Sequence, residues 1–249
     1  MIKKSLIFLL LTGISLSAMS QENTTAPAVR RKGYPDIPGT FTLELGLNRA
    51  GSAPSAFNQT LWGSRALNIY YQYDIRIMKS KFSVVPGIGF SLERYKFKGT
   101  TPILQYASSN NEIEMVSASS LSIAGLKKSQ LITNYIEVPV ELRFQTRPED
   151  PTRSFRVSVG GRIGYLFDSF TKLRYTENGG NKKVKDKQEY NLNKIRYGLL
   201  GKIGIGNFSI FTYYNISPLF QSGKGLRDNN SNNANNFSTY TVGISLSSF

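Results

Sequence analysis

Glu137 with Glu141, and Asp74 with Glu93, are the residues whose pairing could do acid–base chemistry. Two close carboxylates can divide the work of general acid and general base. The rest of the chain withholds the usual partners. Its 249 residues include no histidine and no cysteine. The commonest general base, the commonest metal ligand and the thiolate nucleophile are therefore missing. No calcium-loop spacing occurs either. The expectation is no enzyme, no metal and no cofactor. The carboxylates read instead as half of a charge network, Glu44, Asp74, Glu93, Glu137 and Glu141 set against Arg76, Arg143, Arg156, Arg162, Arg196 and Lys202. Such groups need partners if buried, because an unpaired buried charge is very costly. Glu137 and Glu141 are expected to pair with arginines such as Arg143, Arg162 or Arg196.

What must position these groups is a set of alternating strands. In N-Y-I-E-V-P-V-E-L-R-F, Asn134 to Phe144, the residues Ile136, Val138, Val140, Leu142 and Phe144 share one face. Tyr135, Glu137, Glu141 and Arg143 share the other, as the two-residue period of a strand requires. Similar alternation runs through Phe41–Leu47, Leu67–Ile77, Phe82–Leu92, Phe155–Phe167, Ile195–Ile205, Phe208–Ile216 and Tyr240–Leu246. That makes eight strands. The connections run long, short, long, short, long, short, long, with Gly206-Asn207 a tight hairpin turn. The pattern predicts an all-β fold, an eight-stranded antiparallel up-and-down transmembrane β-barrel. An even strand number puts both termini on the short-turn side, which in an outer membrane is periplasmic, with the long loops extracellular.

Alternation alone does not say which face points outward. A soluble barrel would turn the apolar face inward. Two features favour the membrane barrel. The polar face is rich in glycine (Gly46, Gly87, Gly89, Gly160, Gly164, Gly198, Gly204), which suits a crowded narrow lumen. It also carries charges of both signs that can pair across that lumen. Pro86 and Pro139 fall inside strands, and bulges are expected there, since proline cannot donate to a ladder. Phe249 resembles the aromatic terminus of bacterial outer-membrane barrels, but out of phase with the apolar face ending at Leu246.

The amino end reads as a cleavable signal peptide, residues 1–20. Lys3 and Lys4 precede an apolar run from Leu6 to Leu16, and Ala18 and Ser20 are spaced for cleavage before Gln21. Cleavage takes the net charge from +15 to +13, since it removes two lysines and no acid. Residues 21–38, with three prolines, read as a flexible periplasmic lead-in, and residues 39–249 as the barrel domain. Hydrophobic residues make up 40% of the chain. That is too few for a helical membrane protein, but a barrel needs only half of each strand apolar.

The loop Asp168–Leu192 holds a second cluster, Lys182, Lys183, Lys185 and Lys187. It is a candidate site for lipopolysaccharide phosphates or an acidic partner. The plainer reading, which the diluting Asp186 and Glu189 favour, is a solvated, mobile loop. An exported barrel does not meet nucleic acid as a normal partner.

The leader ending near S-Q, the Y-I-E-V-P-V-E-L-R-F segment, G-G-R-I-G-Y-L-F (Gly160 to Phe167) and F-T-Y-Y-N-I-S-P-L-F (Phe211 to Phe220) resemble the PorT-type outer-membrane β-barrel proteins of Bacteroidota. The resemblance implies an eight-stranded barrel, with some members serving the type IX secretion and gliding machinery. It carries over no catalytic residue. The leading expectation is a non-enzymatic integral outer-membrane barrel, an anchor or accessory subunit of a larger envelope complex of the secretion and gliding type. Its partners would be outer-membrane lipid, lipopolysaccharide and other envelope proteins. The alternatives are a surface-loop binding protein and a narrow channel.

Overall fold

The structure, a computed structural model, describes residues 39–98, 103–106, 112–228, 231–235 and 237–248. Residues 1–20, read above as a signal peptide, residues 21–38, read as a lead-in, and Phe249 lie outside the described residues. Eight strands close into a ring: β1 (Thr40–Ala50), β2 (Arg65–Gln72), β3 (Phe82–Lys96), β4 (Leu126–Gln145), β5 (Phe155–Glu177), β6 (Ile195–Ile205), β7 (Phe208–Asn215) and β8 (Thr239–Ser247). Each pairs antiparallel with the next, and β1 pairs with β8. Closure leaves the barrel without an open edge.

The faces are arranged as membrane residence requires. Ile163 and Leu199 are 63% and 60% exposed, while Glu44, Glu137 and Glu141 are 0% exposed. A barrel that turns leucine outward and glutamate inward is built for hydrocarbon on its outside. Along β3 the outward residues run from Phe82 to Leu92. Roughly ten steps of about 3.4 Å, in a strand tilted about 40°, rise about 26 Å, the height of a lipid-facing band. Aromatic rings stand at both ends of that band: Phe41, Phe82, Phe155 and Phe208 near the short turns, Trp62, Tyr165, Phe167, Tyr197 and Tyr214 near the long connections.

Inward glycines let neighbouring strands approach. A methyl group on Gly160 would run into the Val140 carbonyl oxygen, and one on Gly204 into that of Phe208. The Gly206-Asn207 hairpin is present, with Gly206 at φ +56°. The positive φ is what the first position of a primed hairpin turn demands.

The expected bulges at the prolines are absent. The β3–β4 ladder breaks after Pro86–Val140 and resumes at Gly89–Glu137 in the same register. On its other side Pro139 pairs with Arg162 of β5, again without a slip. Its missing N–H therefore faces the gap, and Gly87, with no side chain of its own, lies across from the ring. Pro86 accepts from the Tyr73 amide at 2.9 Å. The slips that do occur in β4 lie elsewhere, at Leu126/Lys128 and Asn134/Tyr135.

Two expected loops are in part strand. Strands β4 and β5 continue well past the apolar band, with 20 and 23 residues. The lysine segment Gly180–Asp186 folds back on β5 as a strand, not a loop. Its turn is Asn178-Gly179, at φ +50° and +76°, the pair of left-handed positions that a type I′ hairpin needs. The polar stretch between β3 and β4 holds a hairpin of Ile103–Tyr106 with Ile113–Val116. Ile113 pairs in parallel with Leu226 from the β7–β8 connection.

Candidate functional site

The lumen is filled by one connected polar network. Arg162 of β5 meets Glu44 of β1 at 2.9 Å, and Lys202 of β6 bridges Glu44 at 2.9 Å and Glu141 of β4 at 2.6 Å. Arg143 continues the chain, 3.6 Å from Glu141 and 3.0 Å from Asp74. Arg196 closes a second centre, 2.9 Å from Glu93 and 2.7 Å from Glu137. Neutral side chains donate to the same carboxylates. Asn68 donates to Glu44, Gln72 to Glu141, Tyr95 to Glu93 and Tyr70 to Glu137. Arg196 lies over the Tyr135 ring at 3.7 Å, and Arg162 sits 4.9 Å from the rings of both Tyr70 and Tyr213. Cations desolvated against aromatic faces are held well.

Of the residues read from the sequence as this network, the structure brings together Glu44, Asp74, Glu93, Glu137, Glu141, Arg143, Arg162, Arg196 and Lys202. Arg156 is buried at the short-turn end and donates to the Gly206 carbonyl. Arg76 is a correction. It stands at the barrel rim, beyond the enclosed lumen, and pairs with exposed Glu149 of the Arg147–Arg153 turn. Of the carboxylates considered for catalysis, Glu93, Glu137 and Glu141 are buried and each held by a cation, while Asp74 is exposed at the short-turn end and held by Arg143. Cross-strand pairs of this kind tie strands of the ring together.

The roof comes from the long connections. Phe57, Phe97, Leu104, Ile113, Leu192, Leu219, Phe220, Leu226 and Phe237, with Tyr95, Leu131 and Tyr190, form one buried apolar cluster. All four long connections contribute. Backbone bridges stitch them, Gln59 to Phe97 and Leu192 to Phe220. Tyr190 turns the chain back at φ +48°, a strained position for a bulky side chain. Its ring is stacked on Tyr106 at 6.0 Å and its hydroxyl is 2.8 Å from that of Thr171. Burial pushes the Tyr190 phenol above its ordinary pKa, so it stays protonated. Between roof and lumen network, the space lined by Tyr135, Arg196, Asn215 and Leu219 is about 10 Å³, at most one water.

The outer surface beyond the band carries the other candidate site. The four lysines read from the sequence divide. Lys182 pairs with Glu177, and Lys187 is 2.9 Å from Asp168. Lys183 and Lys185 have no carboxylate partner among the described residues and face cations across the ladder, Lys183 opposite Arg174 and Lys185 opposite Lys172. Arg174 in turn lies opposite Lys128, and Gln130 lies between Lys172 and Lys96. Lys128 is held below its ordinary pKa, by burial first and then by the charges of Arg94, Lys96, Lys172 and Arg174. Arg65 and Arg94 are opposite one another at the edge of the band. None of Arg65, Arg94, Lys96, Lys128, Lys172, Arg174, Lys183 or Lys185 forms an ion pair among the described residues. Reading for runs of lysine missed most of these. Their signal was cations two apart, R-Y-K at 94–96, K-L-R at 172–174 and K-V-K at 183–185, which lie on one strand face.

Comparison with the curated proteins gives no match. Among solved structures, Ail, the attachment invasion locus protein of Yersinia pestis, aligns at 14% identity in its complex with the heparin analogue sucrose octasulfate. That alignment covers 85% of this chain and 100% of Ail, with a TM-score of 0.34. Neisserial surface protein A aligns at 12% identity over 84% of this chain and 96% of its own, with a TM-score of 0.33. The assignment to a family rests on the family model. The outer membrane protein beta-barrel domain model matches residues 20–221, and with its ring of eight strands and its outward apolar face the chain belongs to that family of outer-membrane β-barrels.

Proposed function

We propose that this barrel is a non-enzymatic binding protein whose cationic outer surface, beyond the membrane on the long-connection side, holds a polyanionic ligand outside the cell. The supporting observation is the run of like charges placed directly opposite one another: Lys128, Arg174 and Lys183 in one row, Lys172 and Lys185 in the next. Like charges opposite each other destabilise a ladder, so an anion that bridges them would recover that cost. Lysine on the free edge of Gly180–Asp186 also blunts edge-to-edge pairing. Edge protection alone does not account for Lys128, Lys172 and Arg174, which lie inside the sheet.

The test uses the refolded full chain and inorganic polyphosphate as probe. Wild type should bind in a salt-sensitive manner, because exposed charges are screened within about 8–10 Å at physiological ionic strength. Replacing Lys172, Arg174, Lys183 and Lys185 by glutamine should weaken binding by about tenfold or more, as expected from the loss of charge-assisted contacts. Unchanged binding would overturn the reading. The chain has no cysteine, so Lys183→Cys can be labelled on intact cells with an impermeant maleimide. Labelling is expected if the long connections face outward.

A subunit of a larger envelope complex, of the secretion and gliding type, is the second reading. The ordered roof favours it, since an apolar-cored platform presents fixed side chains to a protein partner. Co-purification of envelope proteins in gentle detergent, lost on altering the roof but kept in the charge variant, would select it.

A further inference from the structure

We propose that Arg65, Arg94 and Trp62 form a headgroup site for one phosphorylated, acylated glycolipid of the outer leaflet, whose acyl chain lies in the groove below them. The orientation, long connections outward, is taken from the reading above. The site itself is separate from the lysine rows.

Three observations meet at this place. First, Arg65 of β2 and Arg94 of β3 are a directly opposed pair on the outer face. Opposed side chains in an antiparallel ladder start about 5 Å apart, close enough for one phosphate to accept from both guanidinium groups. The Arg65 Nε donates to the Trp62 carbonyl at 2.7 Å, which aims the guanidinium while its terminal nitrogens stay open. The Arg94 Nε is buried and has no hydrogen-bond partner. A buried donor left unmade is costly, and an anion at this point would satisfy it.

Second, the next opposed pair towards the membrane is Leu67 with Leu92, and Leu45 and Ile244 continue the same level around the barrel. With Ile132 and Val242 they line an outer groove of about 710 Å³ that begins at the two arginines. That is the size of a small-molecule site, and its apolar wall suits a hydrocarbon chain. Third, Trp62 is 70% exposed beside the same groove. An indole with one wet end and one apolar side belongs at a membrane interface. The charge at the groove's mouth selects an anionic lipid over a zwitterionic one. Lys96, two residues along the same strand face from Arg94, favours a headgroup with more than one phosphate.

Trp62 is the only tryptophan in the chain, so its emission reports on this site alone. The refolded full chain in zwitterionic detergent would be titrated with bisphosphorylated lipid A, with its dephosphorylated form and with phosphatidylglycerol. A saturable shift of Trp62 emission with the bisphosphorylated lipid is expected. The dephosphorylated lipid, phosphatidylglycerol and the Arg94→Gln variant should each bind about tenfold or more weakly, the loss of at least one charge-assisted contact. Arg94→Lys, which keeps the charge, should fall between. Unchanged heat-modifiable gel mobility in both variants would show that they remain folded. Equal responses to phosphorylated and dephosphorylated lipid, equal responses to phosphatidylglycerol, or an unaffected Arg94→Gln variant would each overturn the proposal. The Lys183→Gln, Lys185→Gln double variant should keep the Trp62 response. Loss of polyphosphate binding there with the lipid response intact, or the reverse in Arg94→Gln, distinguishes failure of one site from failure of the other.

Discussion

Replacing Arg196 by methionine should lower the unfolding free energy of the lipid-embedded barrel by about 3–5 kcal/mol. Arg196 is 4% exposed and is the cation shared by Glu93 and Glu137. It also donates to Ser91 at 2.8 Å. Without it, two carboxylates stay in an enclosed lumen with only phenol donors, Tyr95 and Tyr70. The loss is the desolvation left uncompensated on those acids. Urea midpoints in lipid vesicles would measure it. Adding Glu137→Gln to Arg196→Met should recover part of the loss, because the amide oxygen still accepts from Tyr70 and one buried charge is gone. Arg76→Met is the control. Its pair with Glu149 is exposed on both sides, and such pairs contribute about 0–1 kcal/mol. If Arg196→Met cost no more than Arg76→Met, the lumen network would not be what stabilises this barrel.

Phe220→Ala should release the roof and leave the barrel standing. Phe220 is 0% exposed, packs edge-on against Phe237 at 5.7 Å and lies in the bridge to Leu192. Truncating a buried phenylalanine costs about 3–5 kcal/mol through lost transfer and the cavity left behind. The roof shares no ladder with the short-turn half of the ring, so the damage should be local. Amide exchange should rise about tenfold or more in Ile103–Tyr106, Ile113–Val116 and Leu219–Leu226, since local opening free energy sets protection. The membrane-spanning strands should keep their protection and the gel mobility should not change. Global loss of protection would mean that roof and ring unfold together.

These expectations divide along the line between what was readable in the sequence and what was not. Alternation in Ile136, Val138, Val140, Leu142 and Phe144 was legible because lipid outside and charge inside enforce a strict period of two. The inward charges followed from the same parity, except at Arg76, where the barrel has ended and parity no longer means lumen. Beyond the apolar band, both faces of a strand meet water or loop. Nothing then forces alternation, so the first residues of β4, the far half of β5 and the hairpin through Gly180–Asp186 read as loop, although Asn178-Gly179 was a turn signal. The roof was hidden for another reason. Phe57, Ile113, Leu192, Phe220 and Phe237 are single apolar residues scattered through four polar connections, and only the closed ring brings them together. The prolines were a misjudged mechanism. A ladder gap and a facing glycine do the work expected of a bulge.

The central claim is that this barrel acts through its outer surfaces because its interior is closed twice, by the charge network and by the roof. Planar-bilayer recording of the refolded wild-type chain tests that most directly. The account predicts no unitary conductance at any applied voltage that the bilayer tolerates. Stable, reproducible single-channel steps would contradict it.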